Sequence, residues 1–170
     1  MKQLAIFITL LCISFQACAE ATKSKRSPYA LLKMETVGVK HYKKGNFDKA
    51  YPKLSNAAYQ GMKQAQYLLG FMYLKGQHVK QSPVLGTVWL GLAKETKIDE
   101  WVKTYNKVYS MLNDSQQNEV DQKLIEYTEK YGIETQNIKC EIRKNSVRAA
   151  NKDSTICHKV EFGEVQKFEI

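Results

Sequence analysis

The sequence predicts a mostly α-helical protein of antiparallel helix pairs stacked side by side, ending in a small strand-like tail closed by one disulfide. Three observations carry that expectation. Residues 30–95 hold one pattern twice: Val37-Gly38, Tyr42, Gly45-Asn46-Phe47-Asp48-Lys49-Ala50 and Ala57, then Ala65, Leu69-Gly70, Tyr73, Gly76, Trp89 and Ala93. Self-similarity at a period of about thirty residues marks stacked helix pairs, which more often bind other proteins than do chemistry. Helical spacing then continues, with Val120, Leu124, Tyr127 and Tyr131 at steps of four, three and four. After Gly132 the apolar residues alternate instead, as a strand requires, and two cysteines lie among them.

Residues 1–19 read as a secretory signal peptide. Lys2 supplies the positive start, Leu4 to Phe15 is a mostly apolar run, and Ala17-Cys18-Ala19 is a small-x-small site that predicts cleavage between Ala19 and Glu20. An alternative is a lipoprotein signal, Phe15-Gln16-Ala17-Cys18, which would anchor the chain to a membrane through Cys18. Residues 20–27 are polar and basic, a disordered arm carrying Lys23, Lys25 and Arg26.

The helical domain is expected over 28–132. Ser27 and Pro28 start a first helix that runs to about Lys44, with Tyr29, Leu32, Thr36, Val39 and Tyr42 as its stripe. Gly45 ends it and Asn46 caps a second, from about Phe47 to Tyr59. Pro52 inside it predicts a kink or a late start. After Gly61 a third helix runs from about Lys63 to Lys75, and Ser82-Pro83 opens a fourth that passes Trp89 and Ala93. Two further helices follow, one capped by Asp99 and one by Asp114 or Ser115, the second ending at Gly132. Their aromatics, Trp101, Tyr105, Tyr109, Tyr127 and Tyr131, fall at helical spacing and read as core.

The C-terminal extension, 133–170, reads as a hairpin. Ile138, Cys140 and Ile142 alternate in one segment and Ile156, His158, Val160 and Phe162 in another, with a basic loop from Lys144 to Ser154 between them. Signal cleavage removes Cys12 and Cys18 and leaves Cys140 and Cys157, which in an exported chain predicts a disulfide. Cys140 lies on the apolar side of its strand and Cys157 on the opposite side of the other. The phases therefore ask for a bulge, or for a bridge at a strand end.

The formal charge of +9 would ordinarily suggest nucleic acid, but export argues against it. Lys139, Arg143, Lys144, Arg148, Lys152 and Lys159, with Lys167 beyond them, form a candidate basic patch for an anionic envelope surface or partner. The plainer reading is a lysine-rich solvated surface.

The first copy of the repeat resembles a tetratricopeptide repeat. The second, with Val79 after Gly76, resembles the closely related Sel1-like repeat, although Ser82 and Leu85-Gly86 stand where that family usually has Asp and Lys-Ala. The resemblance implies a right-handed α-α superhelix: two helix pairs of this type plus two further helices. It also implies a concave face, lined by the first helix of each pair, that takes a partner peptide or helix. Carried onto this sequence, the candidate groove is Glu35, Val39, Lys43, Tyr67, Phe71 and Lys75.

Catalytic chemistry is not expected. The chain has no Gly-x-Ser-x-Gly, no His-Glu-x-x-His, no phosphate-binding glycine loop and no calcium loop. Its three histidines are scattered, and neither a metal nor a cofactor is expected. Some Sel1-like proteins are described as β-lactamases or penicillin binders, but those carry a cysteine pair in each repeat, and residues 30–95 have no cysteine. The sequence therefore reads as a non-catalytic interaction or scaffold module in the bacterial periplasm. The alternatives are a lipid-anchored adaptor docking anionic partners through the basic tail, and a Sel1-like β-lactamase. Oligomeric state is left open.

Overall fold

The computed structural model describes residues 27–143 and 154–160. The signal segment, its cleavage between Ala19 and Glu20, lipidation at Cys18, the arm up to Arg26, and Lys144, Arg148, Lys152, Phe162 and Lys167 lie outside the described residues. In chain order the elements are α1 (Pro28–Lys43), α2 (Phe47–Ala58), α3 (Lys63–Lys75), α4 (Pro83–Ala93), a 3-10 turn (Lys94–Thr96), α5 (Asp99–Tyr109), α6 (Asp114–Tyr131), β1 (Ile138–Arg143) and β2 (Ser154–Lys159).

Local chemistry explains most boundaries. Ser27 Oγ accepts the Ala30 N–H at 3.3 Å, and Ser82 Oγ accepts the Leu85 N–H at 3.2 Å, so both Ser-Pro starts are capped as expected. Asn46 holds the N-cap position of α2 as expected but caps through its backbone alone, and the caps expected for the last two helices are wrong. The Asn46 side chain makes no capping bond; its backbone carbonyl accepts the Lys49 and Ala50 N–H groups. Ile98 precedes α5, and Asp99 is that helix's first residue. Asn113 caps α6 in a reciprocal box with Gln116, at 2.9 and 3.2 Å, displacing both Asp114 and Ser115. Nor does α2 start late: it is helical from Phe47, with Pro52 inside it on the exposed side.

The helices pack as a stack. α1 lies on α2, α2 on α3, and α3 on α4, while both α5 and α6 pack against α4. The first helices α1, α3 and α5 form one row and the second helices α2, α4 and α6 the other. Leu31, Leu54, Leu69, Met72, Trp89 and Leu92 form the center of the main core. The expected stripe on α1 is rotated. Leu31, Glu35, Gly38 and Val39 face the bundle, whereas Tyr29 is 76% and Leu32 42% exposed. Between α3 and α4 the backbones nearly touch: a Cβ on Gly86 would lie 2.9 Å from the Gly70 carbonyl oxygen and 2.6 Å from Leu74 Cγ. Glycine thus stands where the resemblance expects alanine because this crossing leaves no room for a methyl.

In the second row, Trp89 is buried against Tyr59, Tyr127 and Tyr131, with ring centroids 5.2, 5.4 and 5.7 Å away. The Tyr127 and Tyr131 aromatics therefore pack into the core as their spacing implied. Burial raises the phenol pKa of both Tyr59 and Tyr127.

A polar knot ties the helix ends at the base. Lys63 Nζ is fully buried and donates to Glu95 Oε2 at 2.5 Å, Gln66 Oε1 at 2.9 Å and the Leu92 carbonyl at 3.2 Å. Gln66 Nε2 donates to the Ala58 and Tyr131 carbonyls, and Glu95 Oε2 also accepts the Ile133 N–H. Every donor and acceptor named here has a partner, which is the condition for holding an ammonium inside a protein. Burial lowers the Lys63 pKa, and the Glu95 carboxylate works against that fall.

From Gly132 the chain crosses this base and returns to the first pair. Gly61, at φ 88, forms the seat: a Cβ there would lie 2.6 Å from Gln136 Cβ and 3.0 Å from Ile138 Cγ1. Lys159 Nζ donates to Gln136 Oε1 at 2.7 Å and reaches the Gln60 carbonyl at 3.5 Å. β1 and β2 are antiparallel with an unbroken register, Ile138 opposite Lys159 and Arg143 opposite Ser154. Cys140 and Cys157 are directly opposite and form the expected disulfide, with Cα atoms 4.0 Å apart. Both expected devices are therefore corrected: there is no bulge, and the bridge is not at a strand end. The apolar rows of the two strands simply point to opposite faces, so Ile138 and Cys140 share theirs with Cys157 and Lys159.

Candidate functional site

The first-helix row presents an aromatic strip between α3 and α5. The Tyr67 and Trp101 rings stack with centroids 4.6 Å apart and planes 12° from parallel. Phe71, one turn along α3, stands edge-on to Tyr67 at 5.1 Å. Lys75, a further turn along, places Nζ 5.5 Å from the Phe71 centroid. The Tyr67 hydroxyl lies 3.3 Å from Thr104 Oγ1. Tyr67, Phe71 and Trp101 are half-buried, and Lys75 is exposed. Tyr42 of α1 approaches the same region: burial raises its pKa, and Tyr67 adds to the rise.

The six groove candidates divide. Tyr67, Phe71 and Lys75 form this continuous strip, and Lys43 is exposed at the end of α1. Val39 is 8% exposed and belongs to the core. Glu35 also faces inward, and its Oε1 accepts the Ala65 N–H at 2.9 Å. Met62, the residue before α3, offers no side-chain cap, so Glu35 supplies one from a different helix. Burial pushes the Glu35 carboxyl up to about 7, against the lowering effect of the Ala65 and Gln64 N–H groups. Trp101 was read from sequence as core. Its stacking on Tyr67 depends on how α5 crosses α3, which helical spacing within α5 does not encode.

The basic candidates do not form one face among the described residues. Lys139 is exposed and opposite His158; Lys159 is on the other side of the hairpin, held by Gln136 and Gln60. Arg143 is at the end of β1, opposite Ser154. Among the described residues no group of three or more His, Cys, Asp or Glu side chains is placed to hold a metal, and no helix is long and apolar enough to cross a membrane.

Neither a protein-family model nor a curated protein matches the chain. A solved structure does: the crystal structure of a protective antigen present in uropathogenic Escherichia coli strains, displaying a Sel1-like repeat (SLR) fold. The TM-score is 0.56 and the sequence identity 23%, over 72% of this chain and 27% of that one. This chain thus spans about a quarter of the length of that protein. The likeness shows the fold: the helix pairs are stacked as in a Sel1-like repeat structure.

Proposed function

We propose that this chain is a non-catalytic interaction module of the bacterial cell envelope that holds a peptide or helix of a partner protein on its first-helix row. The observation that carries the reading is the strip Tyr67–Trp101–Phe71–Lys75. It joins two repeat units, exposes aromatic edges, and is bordered by the free lysine ends of α1 and α3. Aromatic side chains beside a cation are the composition from which interface hot spots are built.

The envelope assignment rests on the sequence of residues 1–19 and on the Cys140–Cys157 bridge, which suits an oxidising compartment. The periplasm is our reading of that compartment, with anchorage through Cys18 as the alternative.

The test is a photocrosslinking residue at position 75 or 43 in the native envelope, followed by identification of the captured protein. Phe71→Ala and Trp101→Ala should each weaken capture at least tenfold while leaving the helical circular dichroism intact. Capture that survives both changes would place the interface elsewhere.

A further inference from the structure

Charge is sorted along the first-helix row. α1, α3 and α5 run in one direction, each followed by a turn and a helix that comes back along it. Tyr42 meets Phe47 across the first turn, the Tyr73 carbonyl accepts the Ser82 N–H across the second, and the Tyr109 hydroxyl donates to Asp121 Oδ2 across the third. The C-terminal ends of these helices therefore share one edge of the array, opposite the base. At that edge Lys43, Lys44, Lys75, Lys80 and Lys107 are all exposed. Asp48 and Asp114 stand there too, in the first turns of α2 and α6. Among the described residues none of these five lysines is ion-paired; the pairs Lys63–Glu95, Lys123–Glu119 and Lys130–Glu126 lie elsewhere. Nor do α1 and α3 expose a carboxylate: the one acidic residue in both is Glu35, which is buried. On α5 the acidic residues, Asp99 and Glu100, occupy the first turn, at the base end.

The aromatic strip begins at the lysine edge. Lys75 Nζ lies over Phe71, and Phe71 meets Tyr67 one turn further from the edge. We propose that the segment held on this row is acidic: its carboxylates meet Lys75 and Lys43 at the edge, and an apolar or aromatic side chain beside them lies on Phe71 and Tyr67. This rests on the reading of the strip as the interface, and adds the partner's chemistry to it. Complementary charge selects the occupant, because a neutral or basic segment gains nothing from unpaired lysines. Part of the lysine charge offsets the dipoles of the helices it ends, but Lys80 lies in a loop. An anionic bilayer would meet the same lysines and is the poorer fit. Among the described residues the edge offers it one exposed large apolar side chain, Met111. The aromatic surface runs away from the edge along α3, where a flat bilayer does not follow.

The test uses the full chain in its native envelope, with a photocrosslinking residue at position 64, which is exposed about one turn before Tyr67 on α3. The captured peptide is sequenced by mass spectrometry. Carboxylates should outnumber Lys and Arg in it, with an apolar or aromatic residue close to them in sequence. Lys43→Gln with Lys75→Gln should cut capture about tenfold, Lys43→Glu with Lys75→Glu should cut it further, and the two arginine replacements, which keep the charge, should retain most of it. Washing at about 0.5 M salt instead of about 0.05 M should weaken wild-type capture far more than capture by the glutamine variant. Both lysines are exposed, and unchanged thermal melting would show that the fold is kept. A captured segment that is neutral or basic overturns the proposal. So does capture indifferent to the charge changes, or a wild type that captures lipid or nothing in place of peptide. If Phe71→Ala and Trp101→Ala still weaken capture in such a case, the strip remains the interface and the acidic partner alone is lost. If they do not, the reading beneath it fails as well.

Discussion

Glu35 makes the stability of this fold depend on pH in an unusual direction. Its carboxyl moves from an ordinary 4.5 to about 7 on folding, chiefly because it is buried under α3. Between those values the folded chain holds a proton that the unfolded chain has released. Stability from this group is therefore complete below pH 4.5 and is lost as pH rises to about 7. At roughly 1.4 kcal/mol per pKa unit the full swing is about 3 kcal/mol, and most of it falls between about pH 5 and about pH 8. Glu35→Gln keeps an oxygen for the Ala65 N–H and removes the titration. Urea melts of both proteins across that range should show the variant gaining about 2 to 3 kcal/mol on the wild type as pH rises. Titrations common to both cancel in the difference. At the lowest pH the two should be nearly equal, since a protonated carboxyl and an amide offer the same acceptor. If the two profiles run parallel within ~0.5 kcal/mol, Glu35 is not buried as a titrating cap and the account fails.

The base knot predicts that Lys63→Met destabilises by ~3 kcal/mol in the same melts, because it strands the Glu95 carboxylate and the Leu92 carbonyl. Adding Glu95→Leu should recover only part of that loss, since the Ile133 N–H then lacks its acceptor. Cys140→Ser with Cys157→Ser should lower stability by ~3 kcal/mol, and reductant should bring the wild type to the same value. Gly86→Ala should cost ~1–3 kcal/mol, because its methyl meets Leu74 and the Gly70 carbonyl; an unchanged melting temperature would mean the α3–α4 crossing is wider than described.

Helix ends were readable because their chemistry is local. A serine before proline or a glycine after the last apolar residue acts within four residues, so α1, α2, α3 and α4 begin and end close to where Ser27, Gly45, Gly61, Gly76 and Ser82 imply. Faces were harder. Leu31 and Leu32 are adjacent, and periodicity fits either; what turns Leu31 inward is the fit of Gly38 against Leu54, a contact between helices. Glu35 and Lys63 defeat sequence reading for a related reason. A charged residue on a helix is expected in water, and only the partners brought by the fold, Ala65 in one case and Glu95 in the other, make burial tolerable. The hairpin shows the limit from another side: alternation orders each strand's faces but says nothing of how two strands are phased against each other. Of the candidate site, the α3 residues were legible from the repeat, whereas Trp101 was not.

The return of the tail to the first pair changes how the molecule can come apart. A plain repeat array contacts only neighbours along the chain and can fray from either end. Here Lys159 touches the carbonyl of Gln60, a contact across 99 residues of sequence. Gly61 is pressed beneath Gln136 and Ile138, and β2 rests on α1. The first pair therefore cannot open without displacing the hairpin. An array that would otherwise lose its units one at a time is closed into a ring of dependencies. Its completion must await the synthesis and oxidation of the hairpin, a non-local closure that slows the final step of folding relative to the helix pairs themselves.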